Sequence, residues 1–136
     1  MSAHLFTCRV YFEDTDAAGV VYHANHLHFA ERARTEALRD LGVPHAALIE
    51  EHGLIFVVRR IKMDYLRVAR LDDSLEVATT VLAVGASKID LRQAIRRQGE
   101  TIAEAEIGLA CVRRNGGRPA RIPPRWRHAL AAMAGD

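Results

Sequence analysis

The sequence lacks the features of several large protein classes. No apolar run approaches the roughly 18 residues that a transmembrane helix needs. The first residues, MSAHLFTCRVYFEDTD, lack the basic stretch, apolar block and small-residue cleavage site of a secretory signal. The two cysteines, Cys8 and Cys111, do not form a CxxC pair, and without an export signal a disulfide framework is not expected. We therefore expect a cytoplasmic protein with two buried thiols.

Internal repeats, low-complexity stretches and linkers rich in proline, glycine or serine are also missing. Of the 136 residues, 49% are hydrophobic and 26% are charged, which excludes a disordered chain, a collagen and a coiled-coil rod. A chain of this length can bury about two-thirds of its unfolded surface. We expect one domain that covers residues 1–136.

Neither sign of charge is in large excess, because the formal net charge is only +2. This gives no reason to expect a nucleic-acid partner. The end of the chain is nevertheless basic, since only Asp136 faces the arginines at positions 113, 114, 118, 121, 125 and 127. A phosphorylated ligand, an acidic partner or a membrane surface could use this bias, and so could a simple solvated face.

Hydrophobic periodicity predicts one long helix near the start of the chain. A strand is expected over residues 5–12, and a helix over residues 26–41 with Asn25 as its N-cap. Alanines occupy the centre of the apolar face of this helix, which lets a sheet approach closely. Arg34 lies on the same apolar half, where we expect it to extend to solvent or to pair with Glu31.

Strand patterns dominate the rest of the chain. After a short helix or turn over residues 44–52, residues 54–58 are wholly apolar and are expected to be buried on both faces. Alternating strands then follow, joined by short turns that indicate antiparallel neighbours. A short helix over residues 126–133 is expected to anchor the tail through Trp126. The prediction is an α+β fold in which a five-stranded antiparallel sheet wraps one helix of about 16 residues.

An acidic loop with Glu13, Asp14 and Asp16 directly precedes the predicted long helix. A helix N-terminus presents free backbone N–H groups and a positive dipole end, which can stabilise an oxyanion. A carboxylate such as Asp16 facing the same acyl carbon would suffice to hydrolyse an activated ester without a Ser–His pair or a metal. Gly19 lets the backbone approach a ligand closely. A capped surface loop has the same features, so they do not decide the function alone.

Residues 11–34, YFEDTDAAGVVYHANHLHFAERAR, carry a more specific pattern. They match D-x-D-x-x-G-V-V-Y-[HY]-x-N followed by a hydrophobic–aromatic stretch and E-R-A-R, and the likeness continues weakly over residues 57–73. The pattern closely resembles hotdog-fold acyl-CoA thioesterases of the YbgC and 4-hydroxybenzoyl-CoA thioesterase type. The resemblance implies a hotdog fold and hydrolysis of an acyl-CoA to free acid and coenzyme A. It implies no cofactor, because coenzyme A is part of the substrate.

The resemblance also implies roles for single residues. Asp16 would be the catalytic carboxylate, as nucleophile or as general base, and the backbone N–H of His23 would polarise the thioester carbonyl. Tyr22 joins this catalytic group and, with Asn25, shapes the helix start, while Asp14 is expected to be structural. Some relatives have Tyr or Trp where His23 stands, which a backbone contact tolerates.

Substrate contacts are expected at five positions: Gly19, Val21, Asn25, Arg59 and Arg60. Arginine suits the phosphates of coenzyme A because its planar guanidinium binds phosphate oxygens in pairs. Lys62 belongs to the same cluster, and Arg96 and Arg97, or the basic tail, are open alternatives for the same contact. No metal site is expected, because His26 and His28 point about 200° apart on a helix.

Assembly is expected because a single hotdog sheet leaves a long edge strand open. Relatives pair edge to edge into dimers that often double to tetramers, with the active site at the seam, so we expect a homodimer or homotetramer. The YbgC type often occurs in bacteria beside the Tol–Pal envelope system, which allows a peripheral link to membrane or envelope proteins. The alternative function is a non-catalytic acyl-CoA-binding or envelope-system interaction protein on the same fold.

Overall fold

The computed structural model describes residues 3–135. The described chain forms five strands, three α-helices and one short 3-10 turn at Phe12–Asp14. In chain order they are β1 (His4–Arg9), α1 (Asn25–Asp40), α2 (His45–His52), β2 (Leu54–Tyr65), β3 (Ser74–Val84), β4 (Lys88–Arg97), β5 (Glu100–Arg113) and α3 (Pro124–Ala131). The five strands form one antiparallel sheet, as predicted.

The strand order is β1-β3-β4-β5-β2, which corrects one expectation. Although β2 and β3 follow each other closely in the chain, they are not neighbours. Instead β2 pairs with β5, from Leu54 opposite Arg113 to Tyr65 opposite Ala103. The link between β2 and β3 crosses the end of the sheet, where the N–H group of Leu66 donates to the carbonyl of Ile102 at 2.8 Å. A short connection therefore does not imply a hairpin here.

The position of β2 at the edge of the sheet corrects a second expectation. Residues 54–58 were predicted to be buried on both faces, and Leu54 is buried, but Val58 is 42% exposed. Ile61, farther along the strand, is 41% exposed. Because β2 has a paired neighbour on one side only, its apolar sequence is left partly uncovered within one chain.

Helix α1 packs against β1 and β3 through its alanine face. Ala30, Ala33 and Ala37 are fully buried, so the backbone of the helix lies close to the sheet. The predicted N-cap is wrong by one residue, since Asn25 is the first helical residue and Ala24 occupies the cap without a side-chain bond. Strand β1 also ends earlier than predicted, at Arg9, because the chain turns into the 3-10 segment.

The tail is fastened by α3, whose Trp126 is fully buried as predicted. Its indole N–H donates to the carbonyl of Val43 at 3.1 Å. Two arginines of the basic tail serve the same purpose, because Arg125 and Arg127 donate to backbone carbonyls. Across residues 3–135, no helix has the length and apolar character needed to cross a membrane.

Candidate active site

The loop before α1 folds back on itself as a tight hairpin. The N–H group of Asp16 donates to the carbonyl of Val20 at 2.9 Å, and that of Gly19 returns to the carbonyl of Asp16 at 3.0 Å. Gly19 adopts φ +81°, a conformation that glycine reaches without strain. One carboxylate oxygen of Asp16 accepts the N–H of Ala18 at 2.9 Å. The hairpin therefore holds an exposed carboxylate at its tip.

Asp14 fixes the base of this hairpin. Its side chain is only 4% exposed and accepts hydrogen bonds from the N–H of Tyr11 at 2.8 Å and from the amide of Asn25 at 2.6 Å. The carbonyl of Asp14 accepts the N–H of Tyr22 at 2.9 Å. This is the structural role expected for Asp14. Asn25, expected to cap the helix, instead joins the loop to the first turn of α1.

Two N–H groups at the start of α1, those of His23 and Ala24, find no acceptor within residues 3–135. The carbonyl groups of the same two peptide bonds are both hydrogen-bonded. The carbonyl of Tyr22 accepts the N–H of Asn25 at 2.8 Å, and the carbonyl of His23 accepts the hydroxyl of Tyr65 at 2.8 Å. Because C=O and N–H point in opposite directions across a trans peptide, fixing these carbonyls also fixes the two free N–H groups.

Sequence reasoning missed Tyr65 and considered His26 only as a metal ligand. Tyr65 ends β2 and reaches His23 from 42 positions away, which no local pattern announces. His26 is 3% exposed, and its Nδ1 lies 3.2 Å from the carbonyl of His23. Burial lowers the pKa of His26, so its neutral form is favoured. Tyr65 and His26 therefore both contact the carbonyl of His23 and hold the chain in place at the start of α1.

The other predicted site residues lie at varied distances from this loop. The ring of Tyr22 is exposed and packs on that of His23, with centroids 4.4 Å apart. Val21 is buried, and its N–H donates to the carbonyl of Ala69 at 2.8 Å, so it anchors the loop. Arg59 and Arg60 stand in the middle of β2, five or six residues before its end, which is about 17–20 Å along the strand. Within one chain the structure does not bring these two arginines to Asp16.

A cavity of about 360 Å³ opens between α1 and the sheet. Most of its walls are aliphatic, and none of the residues in the Asp16 hairpin lines it. Glu31 is the lining residue of α1 nearest the helix start, eight residues after His23, which corresponds to about 12 Å of helix. The cavity therefore lies farther along α1 than the free N–H groups.

No metal centre is evident in the part of the chain that the structure describes. Among residues 3–135, no three His, Cys, Asp or Glu side chains are placed to hold one ion. His26 is buried and His28 is exposed, on different sides of α1, as the helical spacing predicts. The expectation that the protein uses no metal stays a prediction.

Comparison with known proteins identifies the family to which this chain is similar. A family model described as the thioesterase-like superfamily matches residues 10–130. An acyl-CoA thioesterase YbgC of Haemophilus influenzae is 46% identical over 125 residues, which cover 92% of this chain and 92% of that protein. An acyl-CoA thioester hydrolase YbgC of Escherichia coli is 42% identical, with 86% and 84% of the two chains covered.

Solved structures agree with the fold. A probable thioesterase from Bartonella henselae superposes with a TM-score of 0.86 at 35% identity, covering 90% of this chain and all of that one. A 1,4-dihydroxy-2-naphthoyl-CoA thioesterase from Synechocystis superposes with a TM-score of 0.88, over 97% and 98% of the two chains. At 22% identity, the second structure supports the fold alone.

Proposed function

The chain belongs to the thioesterase-like superfamily and has the hotdog fold, and we propose that it hydrolyses acyl-CoA thioesters at the hairpin before α1. The observation that carries this proposal is that one loop presents both an exposed carboxylate and, within residues 3–135, N–H groups without an acceptor. Asp16 lies at the tip of a hairpin whose base is bonded to the first turn of α1, and His23 and Ala24, which carry these N–H groups, directly precede that helix. Relatives that are 36–46% identical carry the name acyl-CoA thioesterase or thioester hydrolase.

The chemistry follows from these groups. The thioester oxygen accepts the N–H of His23, so negative charge that develops on it meets the positive end of α1. Asp16 either attacks the carbonyl carbon or takes a proton from a water molecule that attacks it. The C–S bond then breaks, and coenzyme A leaves as the thiolate and is protonated. If Asp16 attacks, a water molecule then hydrolyses the mixed anhydride. Each oxyanion donor in such sites contributes about 3 kcal/mol.

Release of free thiol tests the proposal. Purified protein mixed with a series of acyl-CoA thioesters is expected to release coenzyme A thiol in proportion to enzyme concentration, as measured with a thiol-reactive chromophore. Binding without release for every member of the series would contradict the proposal. It would favour the alternative of a non-catalytic acyl-CoA-binding protein on this fold.

The proposal extends to assembly, because the exposed apolar positions of β2 mark an edge that a second copy can cover. Pairing two β2 strands would join two sheets into one of ten strands and leave no β2 edge exposed to solvent. We therefore propose a homodimer or homotetramer with the active site at the seam. A cytoplasmic location, the lack of a nucleic-acid partner and a link to membrane or envelope proteins stay predictions.

Arg59 and Arg60 are proposed to attract the phosphates of coenzyme A, since the middle of β2 would lie at that seam. Arg60 pairs with Asp90 at 3.0 Å and is 59% exposed, so its charge remains accessible. Replacing both arginines with Ala is expected to raise KM several-fold with kcat nearly unchanged, because the nucleotide is bound equally in the ground and transition states. Steady-state kinetics at low and high salt check this, and the effect should shrink at high salt.

Arg92 provides the matched control. It lies on β4, is 48% exposed and faces Glu104 at 3.5 Å, so it has a similar environment away from the β2 edge. Arg92→Ala is expected to leave KM unchanged. An unchanged KM in the Arg59 and Arg60 double variant at low salt would assign the phosphates to another arginine cluster.

A further inference from the structure

The wall of the cavity between α1 and the sheet includes polar and charged side chains that an aliphatic acyl chain does not require. Its walls are built mainly from aliphatic side chains, among them Leu38, Ile89 and Leu109. Arg34 nevertheless belongs to the same wall, and its side chain is only 12% exposed. A guanidinium therefore lies beside an apolar space. A hydrocarbon chain could fill this space without contacting a charged group.

The partners of Arg34 compensate its charge only in part. Its Nη1 donates to the side-chain oxygen of Gln93 at 2.9 Å, which is a neutral acceptor. The ion pair expected with Glu31 is present at 3.9 Å, but this distance is too long for a hydrogen bond and the Glu31 side chain is 74% exposed, so the pair is weak. Since a guanidinium has five N–H donors, within residues 3–135 most of those of Arg34 lack an acceptor.

The side-chain amide of Gln93 cannot flip to present its NH₂ group to Arg34. Gln93 is fully buried, and its NH₂ group donates to the carbonyl of Ala30 and to the hydroxyl of Thr79, each at 2.9 Å. The Ala30 carbonyl can only accept, so the amide orientation is fixed with its oxygen toward Arg34. The arginine is thus positioned by a buried polar network and is not a side chain that happens to fold inward.

The field of this cation reaches across the cavity. Burial and the charge of Arg34 both lower the pKa of His45, another residue of the cavity wall, so its neutral form is favoured. Burial also lowers the pKa of Arg34, yet arginine starts so high that it stays charged at neutral pH. A cation in this position costs free energy unless an anion pairs with it.

The distance between the His23 N–H group and Arg34 sets the length of the acyl group that could carry this anion. Leu27, Glu31 and Arg34 fall on one side of α1, which leads from the free N–H groups toward the cavity. Arg34 lies eleven residues after His23, about 16 Å along the axis, and helical side chains lean back toward the N-terminus. An extended chain advances about 1.2 Å per bond, so the full 16 Å corresponds to about thirteen bonds. The backward lean of the Arg34 side chain shortens this to roughly ten bonds.

Resting on the proposed function, we propose that the acyl group of the substrate carries a terminal carboxylate that pairs with Arg34. The substrate class is then the coenzyme A monothioester of a dicarboxylic acid of about ten carbons. The thioester carbonyl would lie at the N–H of His23, the aliphatic chain would run along α1, and its far end would enter the cavity, where the carboxylate accepts hydrogen bonds from the open donors of Arg34.

Paired substrates of equal length test the proposal. We expect wild-type enzyme to hydrolyse the decanedioic acid monothioester with kcat/KM at least tenfold above that for decanoyl-CoA. Arg34→Met should reduce this ratio to near one. Gln93→Glu should do the same while keeping the arginine, because it places an internal carboxylate against the guanidinium. The control Arg39→Met changes an exposed arginine of α1 that pairs with Glu36, and should leave the ratio unchanged.

The outcomes separate this proposal from the one on which it rests. If neither substrate is hydrolysed but another acyl-CoA of the thiol-release series is, the thioesterase activity stands and the carboxylate proposal is overturned. If no acyl-CoA is hydrolysed, the proposed thioesterase activity fails. If wild-type enzyme hydrolyses both at similar rates, the thioesterase activity stands and the carboxylate proposal is overturned. A preference that persists in both Arg34→Met and Gln93→Glu would also overturn it. The wild-type ratio decides the matter by itself if neither variant folds.

Discussion

Replacing Asp16 with Asn is expected to lower kcat by about 10³-fold or more while the protein stays folded. The amide oxygen can still accept the N–H of Ala18, which Asp16 accepts at 2.9 Å, so the hairpin should keep its shape. The amide cannot act as a nucleophile toward the acyl carbon or remove a proton from water. Steady-state thiol release and a thermal melt, measured on the same preparation, check both halves of this expectation.

Asp14 is the matched control, since it lies two residues away with the same functional group and a different environment. Its buried carboxylate holds Tyr11 and Asn25, so Asp14→Asn should lower the free energy of unfolding by about 1–3 kcal/mol. Its effect on kcat should be smaller than that of Asp16→Asn. Equal losses of kcat from the two substitutions would contradict the separate roles given to these residues.

Placing a charge on the exposed edge is expected to separate the subunits. Ile61→Lys puts an ammonium group at a 41% exposed apolar position of β2, where a charge opposes pairing with another strand. We expect a monomer in light scattering and a loss of kcat/KM of at least a hundredfold, because the proposed site is completed at the seam. Wild-type protein should be at least a dimer under the same conditions.

Leu82→Lys controls for the introduction of a charge. Leu82 lies on the inner strand β3 and is 43% exposed, which matches Ile61 closely. This variant should remain at least dimeric and active. A fully active monomer, whether of wild-type protein or of Ile61→Lys, would contradict the proposed assembly.

Local patterns in the sequence predicted the elements that depend on local forces. The apolar spacing of α1, with Ala30 and Ala33 at its centre, predicted a helix against a sheet. The Asp16 loop with its glycine predicted a turn before that helix. These predictions succeed because periodicity and turn chemistry act over a few residues.

Most of the features that sequence reasoning missed depend on residues far apart in the chain, whereas the Asn25 cap and the end of β1 were missed locally. Pairing of β2 with β5 left Val58 exposed, although its neighbours read as a buried run. The bonds from Tyr65 to His23 and from Arg34 to Gln93 join residues 42 and 59 positions apart. Asn25 was misplaced because its amide serves Asp14 across the loop and not the helix end. Such contacts exist only once the sheet has been assembled.

The claim that Asp16 acts on the acyl carbon, and does not merely hold the substrate, is tested most directly by a single-turnover measurement. Asp16→Asn protein in excess is mixed with radiolabelled acyl-CoA of a chain length that wild-type protein hydrolyses. We expect the intact thioester to bind with a Kd near that for a non-hydrolysable acyl-CoA analogue bound to wild-type protein, and to be cleaved at least about 10³-fold more slowly than by wild-type protein. Loss of binding, or cleavage at the wild-type rate, would contradict the claim.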